Sequence, residues 1–200
     1  MPAVHRYKRA VYSLVRVPRI GLAGGTYGAG LGLKFNLIDK IESLSDERIV
    51  ASKQVSLAEE YLADHFPTFP VLPGVLMLEA LTQAAGWLLH RRRNFACSMA
   101  VLREARNVKY GHFVAPGNAL KIEVELAKLL EGGAVFKAAG FVGSAQALSA
   151  RLELAYFNLA DKRPELAEID ARLREHNRRR WNILSATRSE VAVEAAVQRS

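Results

Sequence analysis

The chain has 200 residues, half of them hydrophobic, with 28 Lys and Arg against 20 Asp and Glu for a formal net charge of +8. That is enough apolar matter for one domain with a sizeable core, and the single cysteine, Cys97, excludes an internal disulfide and suits a reducing compartment. The charge excess does not point to nucleic acid, because it lies at the ends: residues 1–34 carry six basic residues and no acid, residues 161–200 nine against seven, and residues 35–160 thirteen of each.

Residues 1–34 are basic and glycine-rich, which reads as a dispensable, disordered extension, with a targeting-like leader or an upstream translation start before Leu33 as alternatives. They contain no helix-turn-helix pattern. The domain is expected over 35–160. Ile38–Ile41 predicts a short helix, Arg48–Val55 alternates as a strand, and Ala58–Ala63 forms a short helical turn before His65. A long helix follows from Pro73 to about Leu89, apolar on nearly every side, as in a helix buried within a core. Four strands are then predicted at Cys97–Val108, Ala119–Leu130, Val135–Val142 and Ser149–Phe157, with turns at Pro116-Gly117-Asn118, Gly132-Gly133 and Gly143-Ser144. Turns this short join antiparallel strands, so the fold class is α+β, an antiparallel sheet wrapped around a long central helix. Residues 161–200 predict an extension with an amphipathic helix that packs through Leu166, Ile169, Leu173, Trp181 and Leu184, with Arg178–Arg180 on its solvated face.

Chemistry concentrates between His65 and Glu79. Pro67, Pro70 and Pro73 stiffen the loop that carries His65. The helix begins at Gly74, whose side-chain-free N–H and positive dipole end suit a ligand oxygen gathering negative charge. Glu79, Thr82, Gln83 and Gly86 share one stripe of the otherwise apolar helix, which predicts a cavity there. A carboxyl buried on that stripe keeps its proton near neutral pH and becomes a general acid; the alternative is a structural ion pair between Glu79 and an arginine. Base, oxyanion donor and acid within fifteen residues fit proton abstraction beside a thioester carbonyl, then loss of a β-hydroxyl. No cluster has zinc-ligand spacing, no Gly-rich phosphate loop precedes a helix, and the central helix carries Glu79 and Gln83 in its middle, so cofactor-free chemistry without a membrane span is expected.

The run HFPTFPVLPGVLMLEALTQAAG resembles the signature of the 3-hydroxyacyl-acyl-carrier-protein dehydratases, in which a loop His and a helix Glu or Asp stand fourteen residues apart, as His65 and Glu79 do. Val108-Lys109-Tyr110 and Val114-Ala115-Pro116-Gly117-Asn118 extend the resemblance, which covers roughly Phe35 to Leu159. The chain departs from the family at Asp64 and Thr68, where glycine is common. The resemblance implies the hot-dog fold, the glutamate-using general branch, a cytoplasmic homodimer or higher homo-oligomer, and a site shared between protomers. It assigns His65 as base, Glu79 as acid and the Gly74 amide as oxyanion donor, with acyl carrier protein as partner and Arg91, Arg92, Arg93, Arg106 or Lys109 as docking groups. A hot-dog thioesterase and a non-catalytic acyl-binding module are the rival readings.

Overall fold

The computed structural model describes residues 36–64 and 68–186. His65, the basic extension over 1–34 and the last fourteen residues lie outside them. Six strands, β1 (Lys40–Leu44), β2 (Arg48–Gln54), β3 (Met99–Tyr110), β4 (Ala119–Leu130), β5 (Gly133–Val142) and β6 (Ala145–Phe157), form one antiparallel sheet in the order β1-β2-β4-β5-β6-β3. Three helices accompany them among the described residues: α1 (Tyr61–Asp64), α2 (Gly74–Arg92) and α3 (Ala167–Ser185). This is the hot-dog arrangement, with α2 against the inner face of the sheet and touching β2 through β6.

Alternation builds that inner face. Leu120, Ile122 and Val124 of β4 point inward, as do Phe136 of β5 and Leu148, Leu152 and Leu154 of β6, and all meet Ala80, Leu81, Ala84, Ala85 and Leu88 of α2. The small alanines let the helix lie close to the strands. The β4–β5 and β5–β6 hairpins turn at Gly132 (φ 71°) and Gly143 (φ 57°), a backbone region that glycine enters without steric cost.

Two expectations need correction. Ile38–Ile41 is not helical: Asp39 N–H donates to Ser52 O at 2.9 Å and β1 pairs with β2, its register slipping between Ile41 and Ser43. Isoleucines three apart mimic a helical face, and pairing with a neighbouring strand overrides that local signal. The helix α2 is also not buried all round, since Val75 is 72% exposed and Leu76 and Leu78 are only partly covered. No helix among the described residues is long and apolar enough to cross a membrane.

After β6, short 3-10 turns at Leu159–Asp161 and Pro164–Leu166 lead into α3. Trp181 and Leu184 are buried, but Ile169 is exposed and its neighbour Asp170 takes the inward position. Asp170 accepts hydrogen bonds from Leu159 N (2.9 Å), Ala160 N (2.8 Å) and Ser98 Oγ. A carboxylate that satisfies two main-chain donors and a hydroxyl outcompetes an isoleucine for that place. Burial opposes its charge, yet those donors hold its pKa below the ordinary aspartate value.

Candidate active site

The first turn of α2 sets the geometry. Pro73 stands at its N-cap with extended backbone (φ −55°, ψ 137°), no side chain caps the helix, and no acid occupies the first turn. The leading N–H groups are outside the helix's own ladder, so the positive end of the dipole is left for something else. Beside Gly74 lies a cavity of about 270 Å³, lined by Val71, Leu72, Gly74, Met77, Tyr110, Gly111, His112 and Phe113. The Tyr110 ring approaches the glycine closely: a Cβ on Gly74 would sit 3.0 Å from Tyr110 Cε1, so the ring would have to give by a few tenths of an ångström.

Glu79 is half-buried, one and a half turns further along α2. Its partner among the described residues is Gln83, whose Nε2 donates to Glu79 Oε1 at 3.1 Å, and not an arginine. The sense of that amide is set from the other side, because Leu37 N–H donates to Gln83 Oε1 at 3.0 Å. With its oxygen engaged by a donor, Gln83 can only present N–H groups to the carboxyl. Oε1 of Glu79 is thereby held as an acceptor.

Along the stripe of Glu79, the polar groups bond within the chain. Gln83 is engaged at both ends, Thr82 Oγ1 donates to Leu78 O at 3.0 Å, and Gly86 is buried near Ala100. A cavity among the described residues opens earlier on the helix, at Gly74. Tyr110, His112 and Phe113 were not expected there; the aromatic run directly after a strand was the available signal.

The candidate docking cations are mostly engaged within the chain. Arg91 lies over the Trp181 ring at 5.1 Å, Arg92 Nη1 donates to Asp46 O at 2.7 Å, Arg93 lies over Tyr156 at 4.6 Å, and Arg106 pairs with Glu104 at 2.6 Å. Lys109 directly precedes Tyr110 at the cavity and borders an open groove on the outer sheet face with Lys137 and Arg151. Cys97 is partly buried, which pushes its thiol pKa up and fits a packing residue better than a nucleophile.

The FabA-like domain family matches residues 32–151, more than half of the chain and all of the sheet and helix just described except the end of β6. The chain belongs to that family. It is 42% identical over 123 residues to the 3-hydroxyacyl-acyl-carrier-protein dehydratase FabZ of Pelotomaculum thermopropionicum, covering 61% of this chain and 86% of that one. With the dehydratase FabZ of Pediococcus pentosaceus it shares 36% identity over 120 residues, 60% of this chain and 79% of the other. Among solved structures, the dehydratase heterocomplex ApeI:P from Xenorhabdus doucetiae superposes with a TM-score of 0.54 at 20% identity, over 66% of this chain and 90% of that chain, a likeness of fold.

Proposed function

We propose that this protein is a hydro-lyase that dehydrates 3-hydroxyacyl-acyl carrier protein to the trans-2-enoyl thioester in fatty-acid or related lipid synthesis. The observation that carries this reading is Glu79, held by Gln83 on the helix that opens at Gly74 beside an apolar cavity, in a chain of the FabA-like domain family. His65 takes the α-proton. The electron pair released forms the new double bond as the β-carbon–oxygen bond breaks, and Glu79 protonates the departing hydroxyl to give water. The Gly74 N–H supports the charge that gathers on the thioester oxygen meanwhile. Proton exchange then returns His65 to neutral base and Glu79 to acid.

Tyr110, Phe113 and Val75 expose apolar surface around the cavity, which supports a homodimer in which His65 of one protomer serves Glu79 of the other. Lys109, next to Tyr110, is the docking cation best placed for an acidic carrier protein. The working unit is residues 35–160, with 1–34 and 161–200 as extensions, acting in the cytoplasm and without a cofactor. Incubation with carrier-linked 3-hydroxyacyl thioesters tests the reading, following enoyl absorbance against free thiol. Enoyl product is expected, with a loss of roughly 10²- to 10⁴-fold in Glu79→Gln and His65→Ala. Release of thiol would favour a thioesterase, and binding without turnover an acyl-binding module.

A further inference from the structure

Ile49, Ala51 and Lys53 stand at alternate positions of β2 and all turn inward, so the third places an ammonium where the first two place core. Lys53 is only 5% exposed. A buried cation persists only with compensation, and here it has two carboxylates: Lys53 Nζ lies 3.2 Å from Asp39 Oδ1 and 2.7 Å from Glu59 Oε1. Burial alone would lower its pKa, but the bond to Glu59 and the charge of Asp39 outweigh that and hold it above the ordinary lysine value. Asp39 is fixed in turn, since its Oδ2 accepts Gln54 N–H at 2.8 Å.

What these partners are attached to gives the cluster its meaning. Asp39 lies two residues beyond Leu37, whose N–H orients Gln83 and through it Glu79. Glu59 belongs to the turn that starts α1: Ser56 Oγ accepts Ala58 N–H at 3.1 Å, Ser56 O accepts Glu59 N–H at 3.1 Å, and Glu59 O accepts Leu62 N–H at 3.0 Å. In sequence, α1 ends at the residue before His65. One ammonium therefore ties the segment that orients the acid to the turn that starts α1.

We propose that Lys53 is a positioning residue for dehydration: paired with Asp39 and Glu59, it holds in place the segment whose Leu37 N–H orients Gln83 and, through it, Glu79. The inference rests on the reading of His65 and Glu79 given above. A loosened clamp shifts a reacting group by a fraction of an ångström to an ångström, and displacements of that size cost up to about 10²-fold in rate.

The test compares Lys53→Met, Lys53→Arg and a neutral triple variant, Lys53→Met with Asp39→Asn and Glu59→Gln, which leaves no buried charge unpaired. Full-length protein is assayed for kcat and KM on a carrier-linked substrate, with thermal midpoint and oligomer size recorded and Glu79→Gln and His65→Ala run alongside. The expected result is a kcat about 10- to 100-fold lower in Lys53→Met and in the triple variant, with KM changed less than about threefold. The triple variant should recover the midpoint without recovering kcat, and Lys53→Arg should recover part of the rate. Wild-type kcat in a folded triple variant overturns the proposal, and so does failure of the triple variant to fold, which would make Lys53 structural. If Glu79→Gln and His65→Ala keep their activity, the site reading itself falls and the clamp with it; if they are inactive while the triple variant is not, the clamp alone falls.

Discussion

The two ends of α2 are finished in opposite ways. At the C-terminal end the chain seals itself: His90 stacks on Phe95 with ring centroids 6.1 Å apart, Trp181 meets Trp87 at 6.1 Å and Phe95 at 6.4 Å, and Asp170 pins α3 over them. At the N-terminal end nothing within the described residues closes the surface. Phe69, Val75, Tyr110 and Phe113 are all more than half exposed, Phe69 and Phe113 meeting edge-to-face at 5.8 Å, around the cavity at Gly74. A sealed end contributes stability whatever the concentration, while an open apolar end gains it only by association. The chemistry is proposed at the open end, where a second chain would complete it.

The largest effect should come from charging that open end. Val75→Asp with Phe113→Asp places two carboxylates on a face proposed to meet its copy, and desolvating them there is unfavourable. Sedimentation should then give a monomer, and dehydration should fall by about 10²-fold or more because each half-site loses its complementary group. The thermal midpoint should fall and lose its dependence on protein concentration, because the stability that this end gains by association is gone. A fully active monomer would break the comparison.

The sealed end should answer oppositely. Trp181→Ala removes a ring that is 8% exposed and touches Trp87, Phe95 and Arg91. Truncating a buried aromatic costs about 3–5 kcal/mol, a drop in midpoint of roughly 6–20 °C for a chain of this size. Activity per folded molecule should survive. If activity is lost while the midpoint holds, the sealed end carries function as well as packing.

This contrast was only half legible in the sequence. The strands of β4, β5 and β6 follow from period-two patterns and glycine turns, because local geometry and burial agree there. The spacing of His65 and Glu79 and the run between them pointed to the chemistry. What could not be read were matters settled across the fold. Lys53 looked like any strand lysine until its partners Asp39 and Glu59, fourteen residues before it and six after, met it. Asp170 displaced Ile169 from the inner face of α3 because three donors waited elsewhere in the chain. Gln83 was placed on the right stripe, but Leu37, 46 residues away, decides which way its amide faces.

A smaller effect should separate the ends by pH. Burial lowers His90 from 6.5 to about 4, so in the folded state it stays neutral while the unfolded chain takes up a proton. Its contribution is complete above about pH 6.5 and declines as the pH falls toward 4. Asp170 acts in a lower window: its folded pKa lies below 3.8, so its contribution is present above that value and is lost as the pH falls through the folded pKa. Thermal midpoints measured from pH 7 to 4 should slope downward, and His90→Gln should flatten the slope. An unchanged slope would mean that the sealed end admits water to His90.

The smallest effect concerns the region of the Lys53 clamp. The Tyr61 hydroxyl is buried beside Glu59, and burial, together with the charges of Glu59 and Asp39 and a hydrogen bond to Glu59, pushes its pKa up. An ordinary hydrogen bond is worth about 0.5–1.5 kcal/mol net, and Tyr61→Phe removes the hydroxyl while keeping the ring that packs on the core. The midpoint should therefore fall by a few degrees at most, roughly 2–4 °C per kcal/mol lost, with kcat unchanged because Lys53 keeps both carboxylates. A rise in the midpoint would mean that the hydroxyl is left unpaired on burial, and that this end carries a strain that the sealed end, where Asp170 is fully engaged, does not.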